Sequence, residues 1–399
     1  MISEATNCGF GPNGTAFIAD VAASQMKPCC DRAVIQLVTP YGGRMLVVRV
    51  VAKLELGGAQ LSLLRVARAL AARGHRTRLL AGNATAEGVE LAHAHGVEVE
   101  VMGGGGDLQW GCDPRFAEWL APRLASADVV HAHMLGAWWA AAMAVAPDVP
   151  LIASEHNGYA WWGEPPWEAM TDAAARVDLF YAHGPGARSG ASRVGIPEDR
   201  VRRGISPVVG MDSRPRLGLP WPRIVFTGRL SRDKAPDVLI DAIARMADPP
   251  PVLILGSGVL QDELHEQVAR LRLKRVVRFC GWVHDPGRWV LGASVQACPS
   301  RDEAFSQTAV LAMGLGVPVV GTNVDGFPET LADRRGVIVP SEDPIAFAAA
   351  LEQVLAGTAR PDTAAARVWA RQFDTDRVAV VYERAYLELL QAVRPELAA

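Results

Sequence analysis

Residues 45–75 read MLVVRVVAKLELGGAQLSLLRVARALAARGH, and this stretch decides the fold class. Residues 47–51 form a β-branched run without polar alternation, which is typical of a strand covered on both faces of a parallel sheet. Gly57 and Gly58 then make a turn, and apolar residues recur at helical spacing from residue 61 to residue 70. The stretch therefore predicts a strand, a glycine turn and an amphipathic helix, the repeating unit of an α/β protein.

The same pattern continues to the end of the chain. It predicts strands at residues 77–81, 97–102, 129–131, 151–154 and 179–182, and, after an irregular Pro- and Gly-rich linker at 197–222, at residues 224–227, 252–255, 276–279, 295–298, 317–320 and 337–339. Helices are predicted between them, for example at 259–271 and 345–355, and two more at 363–372 and 377–393. The sequence thus predicts two doubly wound, Rossmann-like domains, with a ligand in the cleft between them.

These patterns divide the chain into four parts. Residues 1–44 show no sustained period and are expected to be a poorly structured extension, so that Met45 is a candidate natural start; an alternative is a redox or metal role for Cys29 and Cys30. Residues 45–210 are assigned to the first Rossmann-like domain and residues 211–372 to the second. Residues 373–399 are expected to form a helix that crosses back to the first domain.

Composition excludes several classes of protein. The 40 Lys and Arg residues against 43 Asp and Glu give a formal charge of −3, which argues against a general nucleic-acid binder. Six cysteines without a CxxC pair do not indicate a disulfide framework or a zinc site. Neither a signal peptide nor a membrane-spanning segment is evident. We expect a reduced, cytoplasmic enzyme without a nucleic-acid partner.

The most informative block is PSRDEAFSQTAVLAMGLGVPVVGTNVDGFPE at residues 299–329. A strand is followed by a polar loop and then by an apolar helix that begins near Phe305 or Ser306. The first amides of such a helix suit a phosphate group, and Glu303 in the loop can accept hydrogen bonds from sugar hydroxyls. The alternative is that Ser300 and Glu303 are ordinary helix caps.

A second block, FTGRLSRDK at residues 226–234, ends another strand with two cations. Arg229 and Lys234 could clamp a diphosphate, although a solvated basic loop is the alternative. Glycine turns follow the next two strands, at Gly256–Ser257–Gly258 and at Gly281. Together they form a nucleotide-site pattern.

At this point the chain resembles the retaining glycosyltransferases of family 4, which have the GT-B fold. The resemblance covers nearly all of residues 45–399. It rests on GGAQLSLLRVARALAARGH, VVHAH at residues 129–133, TGRLSRDK, LILGSG, VRFCGWV and the block at 299–329, which occur in the family's order.

The resemblance implies a role for each matching residue. Arg229 and Lys234 would hold the donor diphosphate, Glu303 the hydroxyls of the transferred sugar, and His133 the sugar near its 6-hydroxyl and anomeric centre. The remaining donor-site residues that it implies are Gly57, Gly58, Gly256, Ser257, Gly258, Trp282, Val283, Ala304, Phe305 and Ser306. No metal or other cofactor is expected; the co-substrate would be a nucleotide-diphosphate sugar, with UDP the expected nucleotide.

One position departs from the family's E-x(7)-E pattern, because Leu311 stands where the second glutamate would grip the ribose. The GFG that usually follows the first glutamate is also altered, to Ala304-Phe305-Ser306. Loss of a charged hydrogen bond typically costs about 1.5–3 kcal/mol. The departure puts the identity of the nucleotide in doubt more than the activity.

An acidic and aromatic segment, EHNGYAWWGEPPWEAM at residues 155–170, is a candidate acceptor site. Aromatic faces stack on sugar and cyclitol rings, and carboxylates pair with ammonium groups. The candidate acceptor residues are His156, Tyr159, Trp161, Trp162 and Glu164, and the alternative is that this segment packs inside the protein. Metal roles for His131 and His133, or for Asp374 and Asp376, are disfavoured by their contexts; Asp374 is expected to be a helix N-cap.

The sequence therefore predicts a retaining, metal-independent hexosyltransferase that acts on a small hydroxylated acceptor. The acceptor proposed from the acidic segment is an aminoglycoside intermediate such as 2-deoxystreptamine or paromamine, in antibiotic biosynthesis. Cell-envelope and mycothiol-type acceptors stay open. So do two other classes of protein, a GT-B nucleotide-sugar epimerase and a non-catalytic subunit that binds a sugar nucleotide.

Overall fold

The computed structural model describes residues 43–106, 108–156, 158 and 167–395. The predictions for residues 1–42 lie outside this part of the chain, and so do those for Tyr159, Trp161, Trp162 and Glu164. The fold-class prediction is confirmed, because the described chain contains two parallel sheets with helices between consecutive strands.

The first sheet has seven strands in the order β3-β2-β1-β4-β5-β6-β7. The strands are β1 Leu46–Leu54, β2 Arg76–Ala84, β3 Glu98–Val101, β4 Val129–His133, β5 Leu151–Glu155, β6 Leu179–Ala182 and β7 Val201–Arg203. The helices are α1 Gly58–Ala72, α2 Ala86–Ala94, α3 Pro114–Leu124, α4 Leu135–Ala144, α5 Trp167–Arg176 and α6 Pro185–Arg193, followed by a 3-10 turn at Glu198–Arg200.

The second sheet has six strands in the order β10-β9-β8-β11-β12-β13. The strands are β8 Ile224–Thr227, β9 Val252–Leu255, β10 Val277–Gly281, β11 Val295–Cys298, β12 Val319–Thr322 and β13 Val337–Val339. The helices are α7 Pro236–Ile243, α8 Gln261–Arg270, α9 Gly287–Val290, α10 Gln307–Gly314, α11 Phe327–Thr330, α12 Pro344–Leu355, α13 Thr363–Ala370 and α14 Thr375–Val393, with 3-10 turns at Arg232–Lys234 and Arg371–Phe373.

Strand β1 shows why its sequence lacks polar alternation. Val48 and Val50 belong to the core on one face of the first sheet, whereas Val51 and Leu54 belong to the core on the other. Because helices cover both faces, residues 47–52 and Leu54 are buried, and Lys53 is the exposed residue of the strand.

The linker expected at residues 197–222 holds more structure than its composition indicates. It contributes a 3-10 turn and β7, a short strand that pairs in parallel with β6 at the edge of the first sheet. The irregular spacing of Pro and Gly hides these three residues, since a strand this short has no detectable period.

The last helix, α14, lies against the first domain. Glu383 on α14 is 4% exposed; its Oε2 accepts a hydrogen bond from Arg73 Nε (2.8 Å), and its Oε1 lies 2.6 Å from His75 Nε2. Arg73 and His75 follow helix α1, so a buried carboxylate joins the end of the chain to the end of that helix. No described helix is long and apolar enough to span a bilayer.

We expect Glu383→Ala to lower the free energy of unfolding by about 3–5 kcal/mol, because it leaves the partly buried Arg73 guanidinium and the buried His75 ring without their carboxylate partner. Urea unfolding followed by far-UV circular dichroism measures the change. The matched control is Glu388→Ala on the same helix, whose pair with Arg202 has both side chains 48% exposed. That variant should change the free energy by less than about 1 kcal/mol. Equal losses would contradict the assignment of Glu383 as the anchor of α14.

Candidate functional site

The predicted donor-site residues lie where the strand order of each sheet reverses. In the first sheet β1 is flanked by β2 and β4, and in the second sheet β8 is flanked by β9 and β11. At such a switch point the following loops diverge and leave a crevice at the carboxyl ends of the strands. Gly57 and Gly58 follow β1, the cationic block follows β8, and Glu303 follows β11.

Lys234 and Glu303 are in direct contact. The ammonium Nζ of Lys234 donates to Glu303 Oε2 at 2.9 Å and lies 3.6 Å from Asp233 Oδ2. Their side chains are 22% and 10% exposed. The two residues are 69 positions apart in sequence, so the fold brings together the cation and the carboxylate that the sequence analysis selected.

The electrostatics of this cluster keep Lys234 charged. Burial lowers the pKa of Lys234, but the carboxylates of Glu303 and Asp233 outweigh it, and the pKa is raised above its ordinary value. Burial raises the pKa of Asp233, but the charges of Lys234 and Arg229 outweigh burial. The net pKa is lowered, so this carboxyl is also ionised at neutral pH. The site therefore holds fixed charges of both signs.

Arg229 is the more exposed cation of the cluster. Its Nη2 donates to Asp233 Oδ2 at 3.1 Å, and its side chain is 57% exposed. An exposed ion pair contributes little to stability, so the guanidinium can exchange Asp233 for an incoming anion at small cost.

The glycines at Gly256 and Gly258 support the loop that carries the cations. Gly256 has φ +141, and a Cβ there would lie 1.9 Å from the carbonyl oxygen of Gly228. A Cβ on Gly258 would lie 2.4 Å from the carbonyl oxygen of Leu230, whose amide donates to Ser257 O at 3.0 Å. These positions admit only glycine because the loop after β8 packs directly on them.

Trp282 and Val283 follow β10, beside this support. Trp282 is 46% exposed, and its ring meets His284 edge-on at 4.6 Å, whereas Val283 packs on the core beneath. Gly256 donates to the carbonyl of Gly281 at 2.8 Å, which fixes the two loops side by side.

Two helix N-termini face each other across the crevice. Helix α10 begins at Gln307, and Ser306 is its cap: Ser306 Oγ accepts from the Ala309 amide at 3.3 Å. The side chain of Gln307 donates to the carbonyl of Gly58 at 2.7 Å and accepts from Arg65 Nη1 at 3.0 Å. The positive end of α10 therefore lies beside the positive end of α1, an arrangement that suits an anion.

This geometry refines the prediction for the loop around Glu303. The cap is Ser306, not Ser300 or Glu303, so Glu303 is left to pair with Lys234. Phe305 does not begin the helix; its ring packs against Phe373 with a centroid distance of 4.9 Å. Ala304 is buried against Gly184 of the first domain.

Leu311 is buried in the core of the second domain. It is 3% exposed and clusters with Met211 and Val208. Its position thus presents hydrocarbon where the family pattern has a carboxylate.

His133 lies at the end of β4, and both of its ring nitrogens are used inside the protein. It is 4% exposed; Nε2 lies 3.2 Å from Arg49 Nη1, and Nδ1 lies 3.4 Å from His156 Nε2. The next residue, Met134, has φ 74 and is the N-cap of helix α4, which begins at Leu135. A positive φ costs conformational energy at a non-glycine residue, and here the strained residue lies directly beside His133.

The histidine ring belongs to a stack that the sequence did not reveal as a unit. His131 and His133 stack at 4.2 Å, His133 and His156 at 5.7 Å, and His156 and His183 at 3.8 Å. The rings lie on neighbouring strand ends, so their nitrogens do not converge on one point. No metal-binding group of three His, Cys, Asp or Glu residues occurs in the described ranges.

A pair of carboxyl groups on the second domain was also missed by sequence reasoning. Asp302 Oδ1 and Asp325 Oδ2 each lie 3.5 Å from the point that a Cβ on Gly158 would occupy. Burial, followed by the charge of Asp325, raises the pKa of Asp302 to about 6. Asp325 has φ 32, and its Oδ1 accepts from the Gly186 amide of the first domain at 2.8 Å. The pair therefore faces Gly158 and Gly186 of the first domain.

Asp374 occupies the N-cap position of α14, as expected, but its side chain does not bond to the helix amides. It lies 3.6 Å from Arg371 instead.

Two family models match overlapping parts of the chain. Residues 56–239 match the model described as Glycosyltransferase Family 4, and residues 221–357 match Glycosyl transferases group 1. Among curated proteins, a D-inositol 3-phosphate glycosyltransferase of Streptomyces avermitilis is 33% identical over 300 residues, which cover 69% of this chain and 63% of the relative. The protein of the same name from Streptomyces bingchenggensis is 32% identical over 202 residues, 46% of this chain and 44% of the relative. The chain thus spans less than two thirds of these relatives.

Solved structures match the whole described fold. HepE of Anabaena in complex with UDP covers 86% of this chain with a TM-score of 0.73 and 20% identity. Sucrose-phosphate synthase of Thermosynechococcus elongatus covers 88% with a TM-score of 0.71 and 19% identity. The chain therefore has the GT-B fold, and its two halves match the models of family 4 and group 1 glycosyltransferases.

Proposed function

We propose that this protein is a retaining glycosyltransferase that moves a hexose or aminohexose from a UDP-sugar to a small cyclitol acceptor. The observation that carries the proposal is the Lys234–Glu303 contact at the switch point of the second sheet, beside the N-terminus of α10. Together these groups match the two polar parts of a sugar diphosphate. The cation and the helix dipole suit the phosphate oxygens, and the carboxylate suits the sugar hydroxyls.

In this mechanism the chain stabilises the leaving diphosphate with its own groups. Lys234 is held in place by Glu303, Arg229 leaves Asp233 to contact the phosphates, and the first amides of α10 complete the set. Gly57 and Gly58 bring the first domain to the opposite side. The acceptor attacks the face from which the diphosphate departs, and a diphosphate oxygen takes the acceptor's proton. The proposed mechanism uses no cofactor.

The structural neighbours support UDP as the nucleotide of the donor, since HepE of Anabaena has been crystallised with UDP and with UDP-glucose. The apolar side chain of Leu311 cannot hold ribose hydroxyls by hydrogen bonds. We therefore expect the base and the diphosphate to contribute more of the donor affinity than the ribose does.

For the acceptor we propose an amino-bearing cyclitol such as 2-deoxystreptamine or paromamine, as in aminoglycoside assembly. The support is the carboxyl pair of Asp302 and Asp325 beside Gly158, where Asp325 Oδ2 is buried and has no hydrogen-bond partner in the described part of the chain. An ammonium group would pair with these carboxylates, whereas a phosphate would be repelled. The names of the curated relatives point instead to a phosphorylated inositol, which is the competing acceptor.

A mass-spectrometric screen tests this function. The full chain is incubated with UDP-sugars and with 2-deoxystreptamine, paromamine or an inositol phosphate, and products are detected by the added sugar mass. Sugar transfer to the amines supports the proposal. Transfer only to the inositol phosphate would correct the acceptor, conversion of the donor alone would indicate an epimerase, and nucleotide binding without transfer would indicate a non-catalytic subunit.

The pH dependence of acceptor binding gives a separate prediction. Because the pKa of Asp302 is raised to about 6, this carboxyl is charged at pH 7.5 and largely neutral at pH 5. We expect KM for an amino-bearing acceptor to rise about fivefold as the pH falls across this range, the equivalent of about 1 kcal/mol. In Asp302→Asn the KM should be high at both pH values. A KM that rises equally in both proteins would contradict a role for Asp302.

A further inference from the structure

Arg49 is a buried cation without a carboxylate partner among the described residues. It lies in the middle of β1, is 1% exposed, and has no use in the mechanism proposed above. Its Nη1 lies 3.2 Å from His133 Nε2, and its Nη2 donates to the hydroxyl of Tyr386 at 3.1 Å. A buried guanidinium is costly unless its interactions serve a purpose that an apolar residue could not serve.

The contact with Arg49 determines where the proton of His133 resides. A guanidinium has donors and no acceptor, so His133 Nε2 must be the acceptor in this pair. A neutral imidazole carries one hydrogen, which must then be on Nδ1. The Nδ1–H group is directed at His156 Nε2, 3.4 Å away at the end of β5. That contact is long for a hydrogen bond, so a ligand oxygen could replace it at little cost.

A second branch orders the neighbouring histidine. The hydroxyl of Tyr386 accepts a hydrogen bond from Arg49 and donates one to His131 Nδ1, 2.7 Å away. The remaining nitrogen of His131, Nε2, then donates to Ser154 Oγ at 2.8 Å. The two stacked histidines thus hold opposite tautomers, Nδ1–H in His133 and Nε2–H in His131.

The surroundings of His133 keep its ring neutral. Burial holds the pKa of His133 well below its ordinary value, and the pKa is lowered further because a cationic ring would lie beside the Arg49 guanidinium and the other histidines of the stack. The side chain of Glu155, at the end of β5, accepts from the backbone amide of His156 at 2.9 Å.

We propose that Arg49 is a positioning residue, which fixes His133 as the neutral Nδ1–H tautomer and so makes this ring a hydrogen-bond donor at the wall of the cleft. The importance of the ring for turnover rests on the proposed function, in which His133 contacts the donor sugar. The tautomer itself does not depend on that function, so the two can fail separately.

The first test is nuclear magnetic resonance of the full chain labelled with 15N-histidine. Long-range 15N–1H correlation spectra distinguish the two tautomers, and His133→Gln and His131→Gln assign the signals. We expect His133 to be neutral with its hydrogen on Nδ1 from pH 5.5 to 8, and His131 to be neutral with its hydrogen on Nε2. A hydrogen on Nε2 of His133 in the wild-type protein would overturn the proposal.

The second test compares Arg49→Met and Arg49→Lys in the sugar-transfer assay. In Arg49→Met, kcat should fall about 10- to 100-fold with KM for the donor nearly unchanged, as expected when a reacting group is misplaced. Burial is the main reason why the pKa of His133 is low, and the charge of Arg49 lowers it further; loss of that charge should therefore move the acid limb of the pH–rate profile to higher pH. Arg49→Lys retains the charge and one donor and should recover part of kcat and the wild-type profile.

The matched control is Arg223→Met in the second domain. Arg223 is 5% exposed and donates to the carbonyls of Pro220, Trp289 and Leu291, so its loss should lower stability without changing the histidine signals or the pH profile. If Arg49→Met gives the same result as this control, its role is structural only and the proposal is wrong. If the wild-type chain transfers no sugar but His133 holds the expected tautomer, the proposed function fails and the assignment of Arg49 stands.

Discussion

Lys234→Ala should lower the turnover of sugar transfer by about 100-fold or more, the effect of removing one preorganised group that stabilises charge in the transition state. The reason is geometric: the ammonium is fixed by Glu303 at 2.9 Å and by Asp233 at 3.6 Å, so it is already in place when the diphosphate gains charge. The measurement is kcat at saturating UDP-sugar and acceptor. Because the pKa of Lys234 is raised, wild-type activity should not decline with pH between 7 and 9 through loss of this charge.

The control for Lys234 is Lys274→Ala, which removes an exposed lysine before β10, at the opposite end of the second sheet. Its turnover should equal that of the wild type. Near wild-type turnover in Lys234→Ala would mean that the diphosphate binds elsewhere.

Glu303→Ala should also lower turnover by about 100-fold or more, for two reasons that can be separated. The substitution removes the acceptor of the sugar hydroxyls, and it leaves Lys234 with Asp233 as its remaining carboxylate neighbour. Glu303→Gln keeps the size and one acceptor oxygen but not the charge. We expect Glu303→Gln to lose less turnover than Glu303→Ala. It should raise KM for the UDP-sugar by a larger factor than it raises the inhibition constant Ki of UDP.

The control for Glu303 is Glu263→Ala on the exposed face of α8, which should leave both constants unchanged. Loss of UDP binding equal to the loss of UDP-sugar binding in Glu303→Ala would place this carboxylate on the nucleotide and not on the sugar.

The sequence was sufficient for most of the strands, because each strand of a parallel sheet buried on both faces is a continuous apolar run. Residues 179–182, 224–227, 252–255, 295–298 and 337–339 were predicted with the bounds that the structure has. Residues 317–320 were predicted two positions early, since Val317 and Pro318 extend the apolar run before the strand begins at Val319. Strand β7 escaped prediction because three residues at a sheet edge carry no period.

The candidate site was predictable where one strand end carries the chemistry, and not where distant segments combine. Arg229, Lys234 and Glu303 stand out in their own loops. In contrast, Arg49 is separated from Tyr386 by 337 positions, and nothing in a run of valines indicates what its one arginine contacts. Gln307 and Gly58 are 249 positions apart. Such contacts depend on how the two domains and α14 pack, which local patterns do not encode.

A crystal structure of the full chain with UDP tests the central claim most directly. We predict that the diphosphate lies between the N-terminus of α10 and the loop after β8, with Lys234 Nζ and the Arg229 guanidinium within hydrogen-bond distance of phosphate oxygens. A diphosphate bound away from both cations would contradict the account.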